Sequence, residues 1–369
     1  MSQEQQQHKS TRVGIIGGGW PGVAHARGYR AAGGFQIVAV ADLIPERRQQ
    51  LVVESGGKAR AYADAKELIA DKEIDGVSVC LPTDLHVQIA RAAMRAGKHV
   101  VVETPPGLSV REAKQLAAAS AKYGKLLAYA FQRRFGVAEL AARQAIEKGY
   151  AGEIYHARAT WMRTRGVPIG TGWYVHRAKS GGGALIDIGS HMLDTAWNLL
   201  GQPRPVSVYA VTHRQLTEHD VEDAAFALVR FDGGQTLELG TSWAINQAPS
   251  QNGVTCRVYG KAGGIEVYTP QGAVLYRQFN AKGEAKASAL KPPKVVGHAA
   301  MMRHFRECLL GKAQPAMGAV QGVVLMQMIE ALYKSEETGR SVEIKAAAVE
   351  SPDSIDAESA PALAVTVTS

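Results

Sequence analysis

The chain has 369 residues, 46% of them hydrophobic and 21% charged, with a formal net charge of +8. That length exceeds one ordinary core, so two domains are expected, and no apolar run approaches the ~20 residues that cross a bilayer. The basic residues are dispersed without a nucleic-acid motif, and Cys80, Cys256 and Cys308 are too widely spaced for a disulfide framework or a cysteine-based zinc site. Residues 1–11 are Gln-rich and polar and lack the apolar core of a signal peptide, which predicts a disordered tail and a cytoplasmic protein without membrane or nucleic-acid partners.

The first apolar run, Val13–Ile16, ends in Gly17-x-Gly19-x-x-Gly22, with Trp20 and Pro21 inside the turn and a helix-like segment after it, Val23–Ala32. The next run stops at Asp42, twenty residues beyond Gly22. Strand, glycine turn, helix, strand and acid in that order form a dinucleotide-binding unit. In this reading Gly17 makes the turn, Gly19 lets a pyrophosphate approach the backbone, and Gly22 lets helix and strand pack. Asp42 would accept from an adenosine ribose and repel a 2′-phosphate, which favours NAD over NADP, with Arg47 and Arg48 able to soften that repulsion if they turn inward.

Up to Ala130, short apolar runs (Gln36–Ala41, Gly76–Leu81, His99–Glu103, Leu126–Ala130) alternate with helical patterns (Leu85–Ala96, Val110–Tyr123). This predicts an α/β domain over 12–131, a doubly wound parallel sheet whose ligands lie beyond the strands' carboxyl ends. The loops Leu81–His86 and Glu103–Gly107 become candidates on that rule. After Phe131 the pattern shifts to longer extended runs: Ile154–Trp161, Pro205–Thr212, Ala224–Phe231, Gln235–Trp243, Val254–Gly260 and Gly264–Tyr268. Asp232-Gly233-Gly234 reads as a hairpin turn. A mostly antiparallel open sheet with helices on one face is expected over 132–345, closed by helices His298–Leu310 and Ala319–Glu337, with a disordered tail over 346–369. Ala224–Phe231 is apolar on both alternating sets. It is either a central strand under a second layer or part of an oligomer interface.

The segment Gly181-Gly182-Gly183 leads into a helical stripe of Leu185, Ile188, Met192, Leu193, Ala196 and Leu199. Asp187 and His191 are four apart and stack on one face, which suits a carboxylate orienting a proton-transferring imidazole. Gly189 between them implies close approach of a ligand or another element. A metal pair is geometrically possible, but no third ligand stands at a persuasive spacing, so no metal is expected. Gln132, Arg133 and Arg134 open the second half, and Trp161, Arg163, Arg165, Trp173, Tyr174 and His176 precede the glycine turn. Aromatic faces interleaved with donors suit a hydroxyl-rich ring, though Trp161 and Trp173 also read as core residues. Gln132, Arg163, Arg165, Trp173 and Tyr174 are the substrate-binding candidates.

With these motifs in hand, the chain resembles the glucose–fructose oxidoreductase and inositol dehydrogenase (Gfo/Idh/MocA) family from about Arg12 to Ile344. The resemblance is carried by Gly14–Gly19 with Gly22 and His25, Leu81-Pro82-Thr83-Asp84-Leu85-His86, Gly97–Glu103 and Gly182–His191. It implies a Rossmann domain, a second domain whose open sheet mediates homodimers or homotetramers, and NAD-linked oxidation or reduction of a sugar, cyclitol or related secondary alcohol. It places Pro82, Thr83, His86, Glu103 and Pro105 around the nicotinamide ribose, His191 as proton acceptor or donor, and Asp187 as its partner. One position departs from the family: its Glu-Lys-Pro motif is Glu103-Thr104-Pro105 here, so an uncharged hydroxyl replaces the lysine near the reacting hydroxyl. His191 then carries the proton with Thr104 positioning the hydroxyl, or another basic residue substitutes, or the site binds a dinucleotide with little catalysis. A glycosidase using transient NAD oxidation is the other enzyme class implied.

Overall fold

The computed structural model describes residues 10–165, 172–215, 218–270, 272–278 and 285–345. The tail expected over 346–369 and residues 1–9 of the N-terminal one lie outside the described residues, while Thr11 already begins the first strand.

The N-terminal sheet has β1 (Thr11–Ile16), β2 (Phe35–Ala41), β3 (Arg60–Tyr62), β4 (Gly76–Val79), β5 (His99–Val102) and β6 (Leu127–Tyr129), in the order β3-β2-β1-β4-β5-β6. All its pairings are parallel. Its strands read as unbroken apolar runs because both faces are covered: Val13, Val40, Val77 and Val100 are fully buried. Covering them are α1 (Trp20–Ala32), α2 (Pro45–Glu54), α3 (Ala65–Ala70), α4 (Thr83–Arg95) and α5 (Val110–Tyr123). Strand order reverses between β1 and β4, which opens a crevice at their carboxyl ends.

The second sheet has nine strands among the described residues: β7 (Ile154–Met162), β8 (Pro205–His213), β9 (Ala224–Phe231), β10 (Thr236–Ser242), β11 (Gly253–Gly260), β12 (Gly263–Thr269), β13 (Gly272–Gln278), β14 (Ala285–Ala289) and β15 (Val342–Glu343). It is antiparallel except where β10 pairs with β7. One face packs on α6 (Val137–Glu147), α7 (Ser190–Leu199) and α9 (Ala319–Thr338). The other carries Tyr209 and Val211 of β8 in register with Leu228 and Phe226 of β9, each between 37% and 45% exposed. No second layer covers β9 among the described residues, so the two-sided apolarity of this strand is an exposed sheet face.

Helix α8 (Gly297–Leu309) returns to the first domain. Met301, Met302 and Phe305 share a buried cluster with Val13, Ile15 and Tyr29. A Cβ on Gly28 would meet His298 Cβ at 2.9 Å, so α8 lies directly against α1.

Candidate functional site

Gly17 has φ +102°, and a Cβ there would fall 2.1 Å from the Cys80 carbonyl oxygen. A Cβ on Gly22 would lie 1.9 Å from Gly17 O, so this glycine closes the helix onto the turn itself. On Gly19 a Cβ would meet only Pro21 Cδ at 3.5 Å, leaving that face open. No side chain caps α1 at Gly19, so the amides of its first turn point outward with the positive end of the helix dipole. Asp42 sits at the end of β2, its Oδ2 accepting from Gly18 N–H (2.6 Å) and its Oδ1 from Ile44 N–H (2.8 Å), while Arg48 donates to its carbonyl (2.6 Å). A cavity of about 1740 Å³ runs past these residues and is lined by Trp20, Pro21, Arg47, Pro82, Tyr174 and His298 among others. Open glycine, uncapped helix and terminal acid fit a dinucleotide.

The two further loops do structural work at the cleft floor. His86 is fully buried, its Nδ1 3.0 Å from Pro105 O and its Nε2 2.8 Å from Leu81 O. It ties the two loops together through these carbonyls. Burial pushes its pKa down against the pull of the two carbonyls. Thr83 is buried and its Oγ1 has no protein partner. Glu103 is held within the protein as well: Oε1 pairs with His25 Nε2 (2.9 Å) and Oε2 accepts from Thr104 N–H (3.1 Å). His25 Nδ1 meets Ser78 Oγ (2.9 Å), which meets Tyr29 OH (2.8 Å). Burial works to raise the Glu103 pKa, but His25 and the Thr104 amide hold it below its ordinary value. Ligand atoms of His25, Cys80 and Glu103 lie within 4.8 Å of one another; burial keeps the Cys80 thiol protonated, which disfavours the thiolate a metal requires.

The second half of the site begins at the glycine turn. A Cβ on Gly182 would lie 2.0 Å from Tyr333 OH and one on Gly183 1.9 Å from Glu222 O. Glu222 explains this crowding: its carboxylate accepts from Gly183 N–H (3.0 Å), Leu185 N–H (2.9 Å) and Tyr333 OH (2.9 Å). The following turn, Leu185–Gly189, is a π-helix, with Gly189 N–H reaching Ala184 O at 2.9 Å. Such wide turns recur at functional sites. The element packed against Gly189 is β10, whose Thr241 Cγ2 would lie 3.1 Å from an added Cβ.

This turn corrects the expected pairing of Asp187 with His191. Asp187 Oδ2 accepts from the Trp243 indole N–H (2.8 Å), and His191 Nδ1 has no protein partner. The widened turn and the indole direct the carboxylate toward the end of β10. His191 Nε2 instead faces Thr104 Oγ1 at 3.3 Å, with Phe131 edge-on (ring centroids 5.5 Å) and Trp161 at 6.2 Å. Burial raises Asp187 to about 6, against the Trp243 hydrogen bond and the charge of Arg163. Burial, with Arg133 and Arg163, lowers His191 to about 4. The imidazole is therefore neutral at physiological pH.

The substrate candidates divide. Arg163 is half-buried beside Trp161, and Gln132 carries a buried Oε1 without a protein partner. Arg165 is exposed and donates to Asn246 Oδ1 (3.0 Å), so it leaves the site on the loop. Trp173 and Tyr174 stack at 3.8 Å and line the dinucleotide cavity. The Tyr174 hydroxyl, pushed up to about 12 chiefly by burial, accepts a hydrogen bond from Trp20.

Residues 11–131 match the model of the oxidoreductase family with an NAD-binding Rossmann fold, and residues 140–266 that of the GFO/IDH/MocA C-terminal domain. The D-glucoside 3-dehydrogenase of Escherichia coli (strain K12) is 32% identical over 351 residues, which span 90% of this chain and 97% of that protein. The chain belongs to the Gfo/Idh/MocA oxidoreductase family. A putative UDP-kanosamine synthase oxidoreductase subunit of Amycolatopsis mediterranei (strain S699) is 34% identical over 65% of this chain and 70% of its own length. Among solved structures, GenD2 from gentamicin A biosynthesis, in complex with NAD, has a TM-score of 0.78 at 27% identity, covering 92% of this chain and 98% of that one. Levoglucosan dehydrogenase in complex with NADH has a TM-score of 0.82 at 22% identity, covering 91% and 100%, a likeness of fold.

As a Gfo/Idh/MocA member, the chain is an oxidoreductase-family protein with an NAD(P)-binding Rossmann domain and sugar dehydrogenases among its relatives. No helix among the described residues is long and apolar enough to cross a membrane. Glu222, Trp243 and His298 were not singled out from the sequence. Glu222 had a signal, the first of two acids just before an apolar strand; Trp243 and His298 had none, because their partners are distant in the chain.

Proposed function

We propose that this protein is an NAD-dependent dehydrogenase that oxidises a secondary ring hydroxyl of a glycoside or related polyol, with His191 as the proton acceptor. The observation that carries this reading is the contact of His191 Nε2 with Thr104 Oγ1 (3.3 Å), which joins the loop at the carboxyl end of β5 to an aromatic-walled recess. A D-glucoside hydroxyl at position 3 is the favoured target, since the D-glucoside 3-dehydrogenase relative aligns along nearly the whole of both chains.

Gly17, Gly19 and Gly22 with the start of α1 would hold the pyrophosphate, and Asp42 the adenosine ribose. Both Asp42 oxygens accept backbone N–H bonds and each keeps a further acceptor site. A 2′-phosphate about 4 Å away would cost ~4 kcal/mol at an effective dielectric of about 20, before screening. Trp173 and Tyr174 wall the same cavity from the second half. When bound, the nicotinamide accepts or returns the hydride of the carbinol carbon. His191, neutral and walled by Phe131 and Trp161, takes the hydroxyl proton, and Thr104 Oγ1 orients that hydroxyl. Trp161 offers a face for the apolar side of a sugar ring. The open face of the second sheet, with Tyr209, Val211, Phe226 and Leu228, supports assembly into a homodimer or homotetramer.

The test is a panel of glycosides, cyclitols and free sugars supplied with NAD and followed at the NADH absorbance, with the product carbonyl located by NMR. Stoichiometric NADH and a 3-keto product are expected from a D-glucoside. NAD that stays tightly bound and unreduced while a glycosidic bond is cleaved would overturn the reading.

A further inference from the structure

A buried backbone N–H needs an acceptor, and the first turn of a helix leaves several without one inside the helix. The element that bears His191 starts at the glycine turn, widens at Leu185–Gly189 and continues as α7. Ala184, which opens the wide turn, has no polar side chain to cap it, and neither has Gly183 before it. The acceptor comes from 37 positions beyond Leu185.

That acceptor is Glu222, only 4% exposed. Its Oε1 takes Gly183 N–H (3.0 Å), Leu185 N–H (2.9 Å) and the Tyr333 hydroxyl (2.9 Å), and its Oε2 shares Gly183 N–H (3.0 Å). One oxygen at that depth therefore serves all three donors. The backbone of the same residue grips the turn too: Ala184 N–H donates to Glu222 O (3.0 Å), the oxygen that leaves no room for a Cβ on Gly183. From the opposite side Thr241 Oγ1 of β10 donates to Ala184 O (3.0 Å). The two grips are joined, since Trp243 N–H donates to Asp223 O (2.8 Å). The amides of the turn are thus held from the entry to β9 and a carbonyl from the end of β10, with Tyr333 bracing the carboxylate from α9.

We propose that Glu222 is a positioning residue for His191: its carboxylate fixes where the helix begins, and so holds the imidazole Nε2 at Thr104 Oγ1 (3.3 Å). The assignment rests on the dehydrogenase reading above, in which His191 takes the hydroxyl proton. A proton acceptor works only within hydrogen-bond reach of its hydroxyl, and a displacement of ~1 Å caused by a remote change can cost ~10²-fold in rate. The property that matters is the reach of the Glu222 side chain, because two backbone amides and a hydroxyl converge on one oxygen, and a neutral oxygen at the same point accepts from them as well.

Two substitutions separate reach from charge. Glu222→Gln keeps the length and an oxygen able to take all three donors; Glu222→Asp keeps the charge and withdraws it by one methylene. On the best glycoside of the panel, kcat of Glu222→Asp should fall about 100-fold with KM for glycoside and NAD near wild type. That of Glu222→Gln should stay within about tenfold. The reverse order overturns the assignment and makes the charge of Glu222 its active property, and wild-type rates in both variants overturn it outright. The second readout needs no turnover. Phe131 lies edge-on to His191 with Trp161 beside it, so ring currents displace the His191 ring-proton signals, which report where the imidazole sits. In NMR spectra of the cofactor-free protein these signals should move in Glu222→Asp and hold in Glu222→Gln. Tyr333→Phe removes one donor, leaves both amides capped and should move the same signals by less, which gives a reading even if Glu222→Asp does not fold. Signals unmoved by Glu222→Asp and by Tyr333→Phe refute the positioning role. A wild type that yields NADH with no sugar or polyol refutes the dehydrogenase reading, whereas the NMR signals judge the placement of His191 independently of turnover.

Discussion

Thr104 Oγ1 stands 3.3 Å from His191 Nε2 across 87 positions of sequence, so the loop after β5 and the helix after the glycine turn meet at one side-chain pair. Thr104→Val keeps the shape and removes the hydroxyl. If it orients substrate through one neutral hydrogen bond, kcat should fall roughly tenfold, with NAD affinity unchanged. Steady-state kinetics with calorimetry of NAD binding decide this; an unchanged rate removes Thr104 from the mechanism.

His191→Ala should abolish most turnover while leaving NAD affinity near that of wild type, since the imidazole does not line the dinucleotide cavity. Losing a positioned proton acceptor costs ~10²–10⁴ in rate. Near-normal kcat in this variant would assign the proton to another group.

Asp187 and His191 should pull the pH dependence of stability in opposite directions. The Asp187 pKa is raised to about 6, so its contribution is present below the ordinary carboxylate value and lost as pH rises through about 6. The His191 pKa is lowered to about 4, so its contribution is present above the ordinary imidazole value and lost as pH falls through about 4. Over that shared window the two nearly offset in wild type. Asp187→Asn should therefore gain stability, relative to wild type, as pH rises from about 4 to about 6, and His191→Gln should lose it. Urea unfolding across this range provides the measurement, and parallel profiles in all three proteins would contradict these assignments.

Coenzyme choice rests on the carboxylate of Asp42, held by the amides of Gly18 and Ile44. Asp42→Ser should weaken NAD binding by about tenfold for lost charged hydrogen bonds and narrow the preference over NADP. Calorimetry with both dinucleotides would show it; tighter NADP than NAD binding in the wild type would reverse the assignment.

Phe226 and Leu228 face outward from β9 opposite Val211 and Tyr209. Phe226→Lys with Leu228→Glu should turn an oligomer into monomers without loss of helix content. Light scattering coupled to size exclusion measures the mass, and a monomeric wild type would remove this face from the assembly.

The glycine turn, the apolar parallel strands, Asp42 and the Gly181–Gly183 lead into the second constellation were legible in the chain, because each depends on neighbours a few residues away: a positive φ, a strand buried on both faces, an acid ending a strand. Short or charged elements such as β3 and α3 escaped notice, since three to six residues carry too little periodicity. The α-helical spacing of Asp187 and His191 suggested a pair, but that inference assumes a regular helix. Only the folded chain brings Trp243 to Asp187, inserts the π-turn and sets Thr104, Phe131 and Trp161 around His191. His86 and Glu103 show the same limit. Their loops stood out by position at the strands' carboxyl ends, while their side chains turn inward because a buried imidazole and carboxylate need partners, and Leu81, Pro105 and His25 supply them. Local sequence determined where the backbone turns and which strands are buried; tertiary packing decided which polar groups face the cleft, because each buried group is claimed by the nearest partner in space.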